Sequence, residues 1–231
     1  MTIDWYDDRL ADPGGRGVIA VDVLRSTTTA VTAVSLGRRC FPVSSLESAM
    51  RLAEQIDGAL LAGELGGNMP YGFELTNSPA AVADRKDVDR PMILISSSGT
   101  RLLCEASDST SPVYVGCLRN HSAVAQAVAA REESVAVVGA GTRGEFREED
   151  QLCCAWIAHG LLERGFDAAS SQTEALVARW HAAPADALLD SKSVEYLRRT
   201  GQEHDLEFVL SHVDDLDATF VLDGDELRKD A

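Results

Sequence analysis

Five short runs of β-branched and apolar residues in this sequence each break into a polar segment that could carry chemistry. The polar segments contain hydroxyls, glycines, arginines and carboxylates, and they lie at 22–29, 64–68, 96–100, 119–120 and 139–145. Hydroxyls, turn amides and arginine forks suit a phosphate or another oxyanion. Clustered carboxylates suit a hard divalent cation such as Mg²⁺. Together these residue types indicate phosphoryl chemistry.

The elements that must position these segments alternate between strand and helix. The apolar runs at 17–23, 59–62, 92–95, 113–116 and 135–138 have strand character, and stretches with helical periodicity lie between them and continue to residue 201. This alternation indicates a largely parallel sheet covered by helices. The predicted fold class is α/β, a three-layer α/β/α architecture with a largely parallel, mixed sheet. Because ligands bind outside the carboxyl ends of parallel strands, the polar segments are expected along one edge.

The helical pattern fades after residue 201. Two apolar runs remain, at 206–210 and 219–222, and they are predicted to be edge strands followed by a frayed acidic tail from about residue 223. No internal repeat and no long Pro/Gly/Ser linker divides the chain. We therefore predict a single domain over residues 1–231, with room for two lobes.

Composition and charge exclude several classes of partner. The 231 residues are 45% hydrophobic and carry a formal net charge of −16, which disfavours binding to nucleic acid or to an anionic membrane. No apolar run approaches the roughly 20 residues that span a bilayer, and the acidic start does not resemble a secretory signal. Five cysteines without CxxC spacing indicate reduced thiols. We expect a cytoplasmic homo-oligomer that binds a small anionic phosphoester.

Several motifs also have simpler structural explanations. The 25–29 segment could merely cap the next helix, 96–100 is typical turn sequence, and the acids at 148–150 could simply offset a helix dipole. Residues 139–144 read GxGxxG, which leaves a dinucleotide-binding oxidoreductase as an alternative. The acids that follow would repel a pyrophosphate docked there. A non-catalytic anion-binding protein is a further alternative.

Four blocks in the right order resemble the 2-phosphosulfolactate phosphatase (ComB) family. They are VDVLRSTTT at 21–29, GELGG followed by GFELTNSP at 63–79, SSSGT at 96–100 and GAGTRGEFREED at 139–150. The resemblance implies a three-layer α/β/α fold and a Mg²⁺-dependent phosphatase that hydrolyses 2-phospho-3-sulfolactate to 3-sulfolactate and phosphate. In that family the reaction belongs to coenzyme M biosynthesis. A phosphatase of the same fold acting on another phosphorylated hydroxy acid or small metabolite is the nearest alternative.

Two positions depart from the family pattern. The family usually has SSNGT, so Ser98 replaces an amide side chain. It usually has cysteine where this chain has Gly139, which excludes a catalytic thiol at that position. The Ser98 departure leaves phosphate chemistry in place and bears on the identity of the substrate.

In the resulting site hypothesis, the acidic residues bind a metal ion and the arginines bind the anionic groups of the substrate. The predicted Mg²⁺ ligands are Asp22, Glu64, Glu149 and Asp150, and the predicted catalytic residues are Asp22, Arg25, Glu64 and Arg143. Arg25 and Arg143 would clamp the phosphate and a second anionic group. The remaining substrate oxygens are assigned to Ser26, Thr27, Thr28, Ser97, Ser98, Gly99 and Thr100, and Asn77 would orient the substrate. Whether Asp22 is a metal ligand or a nucleophile stays open.

One further expectation concerns the electrostatic potential. An anionic substrate must approach a protein with a net charge of −16. Arginines in the strand-end loops could reverse the potential locally, and the sequence offers Arg25, Arg101, Arg119 and Arg143 for this purpose.

Overall fold

A computed structural model describes residues 1–109, 112–142 and 144–230. The strands in the described part are β1 (Thr2–Trp5), β2 (Gly17–Val21), β3 (Cys40–Val43), β4 (Leu60–Gly63), β5 (Met92–Ile95), β6 (Val113–Gly116), β7 (Val135–Gly139), β8 (Phe220–Asp223) and β9 (Glu226–Lys229). They form one sheet in the order β1-β7-β2-β6-β8-β9-β3-β5-β4. Two parallel halves flank the antiparallel β8–β9 hairpin. The predicted mixed, largely parallel sheet is confirmed.

Helices occupy most of the connections between the strands. They are α1 (Ser26–Ser35), α2 (Leu46–Ala53), α3 (Pro79–Asp84), α4 (Gly99–Ser109), α5 (His121–Arg131), α6 (Glu148–Leu162), α7 (Ser171–Trp180), α8 (Lys192–Arg199) and α9 (Glu203–Ser211), with a 3₁₀ helix at Ala185–Asp190. Among the helices that the structure describes, none has both the length and the apolar character needed to cross a membrane.

Alternate residues of the central strands pack into two different hydrophobic cores. In β2, Ile19 and Val21 pack with apolar residues of α5 to α9, whereas Val18 and Ala20 pack with residues of α1 and α4. Because successive strand side chains point to opposite faces, this division means that each face of the sheet is covered by helices. The three-layer α/β/α prediction is confirmed.

The C-terminal segment differs from its prediction. The 206–210 run lies in α9 rather than in a strand, with Leu206 and Val209 buried and Glu207 between them exposed, as helical spacing requires. The 219–222 run does supply β8, but this strand lies inside the sheet and not at its edge. The predicted frayed tail is also wrong, because β9 pairs with β8 and β3 and buries Leu227. This hairpin joins the two parallel halves into one sheet.

Candidate active site

A cavity of about 980 Å³ opens at the carboxyl ends of β2, β4, β5 and β7. Its lining includes Asp22, Glu64 and Ser97 from the segments that follow the first three of these strands, and Thr142 from the segment after β7. The opposite wall comes from α8. The expectation that strand-end segments share one edge therefore holds for four of the five. The fifth, after β6, does not line the cavity within the described residues.

Asp22 lies at the floor of the cavity, directly after β2. Ser26 Oγ at the start of α1 donates to Asp22 Oδ2 at 2.7 Å, and Asp22 N donates to Thr27 Oγ1 at 2.8 Å. Burial raises the pKa of the Asp22 carboxyl, the Ser26 hydrogen bond opposes this shift, and the charge of Glu64 adds to it. A buried carboxylate with a perturbed pKa in a cleft is typical of a functional group.

Gly99 allows α4 to begin directly against this carboxylate. A Cβ atom at Gly99 would lie 2.0 Å from Ser26 Oγ and 2.2 Å from Asp22 Oδ2. The turn before it is fixed by Ser96 and Thr100, whose side chains each accept a hydrogen bond from the other residue's backbone amide, at 2.9 and 2.8 Å. The SSSGT segment is therefore a turn whose glycine is required by close packing on Asp22.

Substituting Gly99 by alanine should displace the Asp22–Ser26 pair and lower kcat/KM by about 10- to 100-fold. The added methyl group cannot fit at these distances without moving Asp22 or α4. The measurement is steady-state phosphate release, accompanied by thermal unfolding. Gly17→Ala is the control, because its Cβ would meet only the flexible Glu132 side chain, at 3.3 Å. Wild-type kinetics in Gly99→Ala would show that Asp22 does not need its observed position.

Glu64 joins two of the cavity turns. Its Oε1 accepts a hydrogen bond from Ser97 N at 2.8 Å, and its Oε2 accepts from Gly67 N at 2.6 Å and from Ser97 Oγ at 3.0 Å. Ser97 Oγ also accepts from Gly66 N at 2.8 Å. Both carboxylate oxygens are thus engaged by backbone and hydroxyl donors. The structure supports a role for Glu64 in holding the loop after β4 against the turn after β5.

Arg25 places a buried guanidinium in the cavity wall. The side chain is 5% exposed, and its Nη1 donates to Asp205 Oδ2 and to Gln202 Oε1, each at 2.5 Å. No described residue accepts a hydrogen bond from Arg25 Nε or Nη2. The structure therefore leaves donors of the predicted anion clamp available. Arg143, the second predicted clamp, lies outside the described residues.

Glu149 and Asp150 are buried in the first turn of α6, and neither is among the residues that line the cavity. Asp150 Oδ1 accepts a hydrogen bond from Val23 N at 2.8 Å, and Glu149 Oε2 has no hydrogen-bond partner among the described residues. Burial raises the pKa of Asp150 well above its ordinary value, and the charges of Asp22 and Glu149 raise it further. Burial also raises the pKa of Glu149, against opposing hydrogen bonds from serine side chains. Buried like charges raise one another's pKa, and either a proton or a bound cation would relieve their repulsion.

These carboxylates could supply one or two ligands to Mg²⁺ but not a complete coordination shell. Within residues 1–109, 112–142 and 144–230, no three His, Cys, Asp or Glu side chains are arranged to hold a metal ion together. The four predicted ligands therefore do not form one coordination set. Mg²⁺, however, commonly binds through one or two carboxylates and completes its shell with water and substrate oxygens. Glu149 Oε2 has no hydrogen-bond partner among the described residues and could be one such carboxylate ligand. The charge repulsion between Glu149 and Asp22 would also be reduced by a bound cation.

Four of the six predicted substrate-binding hydroxyls do not line the cavity, namely those of Ser26, Thr27, Thr28 and Thr100, and the predicted Gly99 does not line it either. Thr27 Oγ1 donates to Asp22 O and Gly116 O, and Thr28 Oγ1 donates to Val23 O, all at 2.8 Å. Ser97 and Ser98 do line the cavity. These internal hydrogen bonds explain the hydroxyl-rich sequence after β2 without a ligand.

Asn77 also lines the cavity, as its predicted role requires. Its side chain is 4% exposed, and its Oδ1 is buried without a hydrogen-bond partner among the described residues. An unpaired buried acceptor is costly, so a donor from a ligand or a water molecule would stabilise this position.

The cavity concentrates positive charge in an acidic protein. Its described lining residues include five cations, against the acids Asp8, Asp22, Glu64 and Glu195: Arg25, Arg101, Arg147, Lys192 and Arg199. Sequence analysis assigned no role to Arg147, Lys192 or Arg199. The prediction for Arg119 is wrong, because this side chain pairs with Asp215 at 2.7 Å and does not line the cavity.

Gly139 has no space for a side chain. A Cβ atom there would lie 2.3 Å from Cε2 of Phe146, whose ring stacks on Trp5 with centroids 5.7 Å apart. The aromatic pair therefore fills the region in which a cysteine side chain would stand. This packing agrees with a site that uses no thiol at this position.

The fold and the site define an α/β protein with a cavity lined by five cationic side chains and the buried carboxylate of Asp22. The sequence model of the family described as 2-phosphosulpholactate phosphatase matches residues 8–223. A 2-phosphosulfolactate phosphatase of Methanothermobacter thermautotrophicus is 36% identical over 200 residues, covering 86% of this chain and 84% of the relative. A probable 2-phosphosulfolactate phosphatase of Synechococcus sp. is 34% identical over 200 residues, covering 82% of each. One of Deinococcus radiodurans is 34% identical over 194 residues, covering 82% and 81%.

The chain belongs to the 2-phosphosulfolactate phosphatase family. The resemblance based on the four sequence blocks is thereby confirmed, as is the classification of the protein as a phosphoric monoester hydrolase.

Proposed function

We propose that the protein is a Mg²⁺-dependent phosphatase that hydrolyses 2-phospho-3-sulfolactate to 3-sulfolactate and phosphate. The observation that carries this proposal is the cavity, whose described lining includes five cationic side chains and the buried carboxylate of Asp22. The relatives named for this reaction support the choice of substrate. In this proposal the reaction serves coenzyme M biosynthesis.

The cationic residues answer the main difficulty of the reaction, which is the negative charge of the substrate. A phosphate monoester dianion repels its nucleophile, so its charge must be neutralised and its geometry fixed. Arg25 is buried with donors left over, and it would bind the phosphoryl oxygens. Arg101, Arg147 and Arg199 line the same cavity and would bind the sulfonate and carboxylate groups. Substrate binding would thereby fix the phosphoryl group above Asp22.

Asp22 and Glu149 would hold Mg²⁺, with Asp150 beside them. When bound, Mg²⁺ would supply charge neutralisation at the phosphoryl oxygens and offset the repulsion among the buried carboxylates. Glu64 would keep the loops after β4 and β5 in place through its three hydrogen bonds. Asp22 is assigned as a metal ligand in this proposal, and a nucleophilic role is the alternative.

Changing Glu149 to glutamine should weaken Mg²⁺ activation by about tenfold or more. The amide keeps the size of the side chain and removes the charge that Glu149 Oε2 would present to the metal. The measurement is activity as a function of Mg²⁺ concentration. Glu148→Gln, a half-buried acid one residue earlier in the same helix turn, is the matched control. Equal Mg²⁺ requirements in the two variants would remove Glu149 from the metal site.

A substrate panel tests the reaction itself. We expect kcat/KM to be highest for 2-phospho-3-sulfolactate, lower for 2-phospholactate, which lacks the sulfonate, and lowest for p-nitrophenyl phosphate. Higher activity on another phosphorylated hydroxy acid would favour the related phosphatase alternative. Binding of orthophosphate without turnover of any ester would favour a non-catalytic relative.

The dinucleotide alternative is not favoured. In the structure, α6 follows the 139–144 segment with Glu148, Glu149 and Asp150 in its first turn, where a pyrophosphate would need positive potential. An NAD(P)H fluorescence titration should therefore show no binding.

We also propose a homo-oligomer that acts in the cytoplasm. All five cysteines are free thiols, which suits a reducing compartment. Met50, Met69 and Tyr71 are exposed apolar side chains that a second copy could cover. The molar mass in solution, measured by light scattering, tests the oligomeric state.

A further inference from the structure

Asp205 is a buried carboxylate of α9 that lies behind the cavity wall. Its side chain is fully buried, and it is absent from the residues that line the cavity. It comes from the C-terminal part of the chain, 180 residues after Arg25 and 127 residues after Ser78. Neither the strand-end pattern nor the four sequence blocks assign it a role.

The two oxygens of Asp205 bind two different parts of the cavity wall. Oδ2 accepts from Arg25 Nη1 at 2.5 Å, and Gln202, one turn earlier, accepts from the same nitrogen. Oδ1 accepts from Ser78 Oγ and from Ala80 N, the latter at 3.3 Å. One carboxylate thus connects the segment after β2 with the start of α3.

The Ser78 contact extends to Asn77. Ser78 is the N-cap of α3, where its Oγ accepts from Ala81 N at 3.1 Å. Asn77 precedes it, lines the cavity, and is fixed further by Thr29 Oγ1, which donates to Asn77 O at 2.7 Å. Asp205 therefore stabilises the backbone that carries this cavity residue as well as the guanidinium of Arg25.

The hydrogen bonds at Arg25 indicate that Asp205 orients the guanidinium group and does not merely neutralise its charge. Asp205 and Gln202 both bind Nη1, whereas Nε and Nη2 donate to no described residue. Because both N–H groups of Nη1 lie in the guanidinium plane, two acceptors on this nitrogen fix that plane and leave the other donors for a planar or tetrahedral oxyanion. Fixing the side chain in advance reduces the entropy that binding must remove.

We propose that Asp205 is a positioning residue, which holds Arg25 by Nη1 so that its remaining donors face the phosphoryl group. The inference rests on the proposed function, since it requires Arg25 to bind a phosphoryl oxygen. Gln202 is the auxiliary acceptor in this arrangement. Asp205 itself does not touch the substrate.

The test is a double-mutant cycle on phosphate release from 2-phospho-3-sulfolactate. Asp205→Asn should lower kcat/KM by about 10- to 100-fold, as is usual for a group that orients a contact residue. Arg25→Ala should lower it further. The double variant should be no worse than Arg25→Ala alone, because the asparagine amide oxygen can still accept from Ser78 Oγ and Ala80 N, so that only the action through Arg25 is lost. Glu207→Gln, an exposed acid of the same helix, is the control. Multiplicative losses in the double variant would overturn the proposal.

Guanidinium rescue provides a readout that a merely structural role would not change. Added guanidinium should partly restore Arg25→Ala, because the Asp205 carboxylate would bind it at the vacated position. It should not restore the Arg25→Ala/Asp205→Asn variant. Equal rescue of the two variants would contradict the proposal.

Folding and the proposed function are tested separately from this inference. If Asp205→Asn does not fold, as judged by thermal unfolding, Gln202→Ala replaces it in the cycle. Gln202→Ala should lower kcat/KM by a smaller factor than Asp205→Asn, and it should cause no further decrease when Arg25 is already alanine. If wild-type protein releases no phosphate, the proposed function fails. In that case, orthophosphate affinity measured by calorimetry still tests the positioning role of Asp205. Weaker binding in Asp205→Asn than in the wild type supports this role, and unchanged binding overturns it.

Discussion

Replacing Asp22 with asparagine should lower kcat/KM by roughly 10²- to 10⁴-fold, the range expected when a group at the reacting centre is lost. Asparagine keeps the shape of the side chain and can still accept the hydrogen bond from Ser26, so the fold should survive. The substitution removes the charge that burial and Glu64 already make costly. The measurement is phosphate release at saturating Mg²⁺, with thermal unfolding in parallel.

Asp57→Asn is the control for this substitution, because Asp57 is exposed and lies outside the cavity lining. It should retain wild-type kinetics. Full activity and unchanged Mg²⁺ dependence in Asp22→Asn would place the chemistry elsewhere in the protein. Loss of activity together with a higher Mg²⁺ concentration for half-maximal activation would support the ligand assignment over the nucleophilic one.

Replacing Arg25 with alanine should lower kcat/KM by about 10²- to 10³-fold, as is typical when one donor to developing negative charge is removed. Arg25→Lys should recover only part of this loss, since an ammonium keeps the charge but cannot present the planar fork of donors. Steady-state kinetics of both variants test the prediction, and thermal unfolding reports the cost of leaving Asp205 buried without its partner.

Arg51→Ala is the matched control, since Arg51 is an exposed arginine whose ion pair, within the described part of the chain, is with Glu47 on the same helix, α2. It should leave both kcat and KM unchanged. Equal activity of Arg25→Lys and the wild type would show that charge alone matters at this position. Unchanged activity in Arg25→Ala would exclude Arg25 from the anion site.

The layered core could be predicted from sequence because its signal is local. Strands such as β2 and β5 are continuous apolar runs, as expected for parallel strands buried on both faces, and each is followed by a helix. The second strand of the β8–β9 hairpin, ELRK, lacks that signal. The position of the hairpin inside the sheet depends on pairing with β3 and β6, which are distant in sequence. Short strands of this kind are determined by tertiary contacts.

The candidate site likewise contains residues that a local sequence signal predicts and residues that only tertiary structure brings together. Asp22, Glu64 and Ser97 could be predicted because the carboxyl ends of strands meet at one edge. Lys192 and Arg199 come from α8, and only the fold shows that this helix closes the cavity. A weak sequence signal existed, since α8 ends in two arginines within a strongly acidic chain.

Arg119 was predicted to act at the site, but the structure places its side chain elsewhere. It follows β6 in the same manner as the residues that line the cavity, yet it turns towards Asp215 and Thr32. Position at a strand end restricts where a side chain begins but does not determine its partner. Asp205 was missed for the same reason, because its role depends on contacts across more than a hundred residues of sequence.

Phosphate release from racemic 2-phospho-3-sulfolactate, measured with Mg²⁺ and with excess EDTA, tests the proposed reaction and its metal dependence most directly. The cationic lining of the cavity and the buried carboxylates predict release in Mg²⁺ and its loss in EDTA, with recovery when Mg²⁺ is restored. Release that is unaffected by EDTA would contradict the assignment of the carboxylates to a metal. No release in either condition, from folded protein, would contradict the proposed reaction.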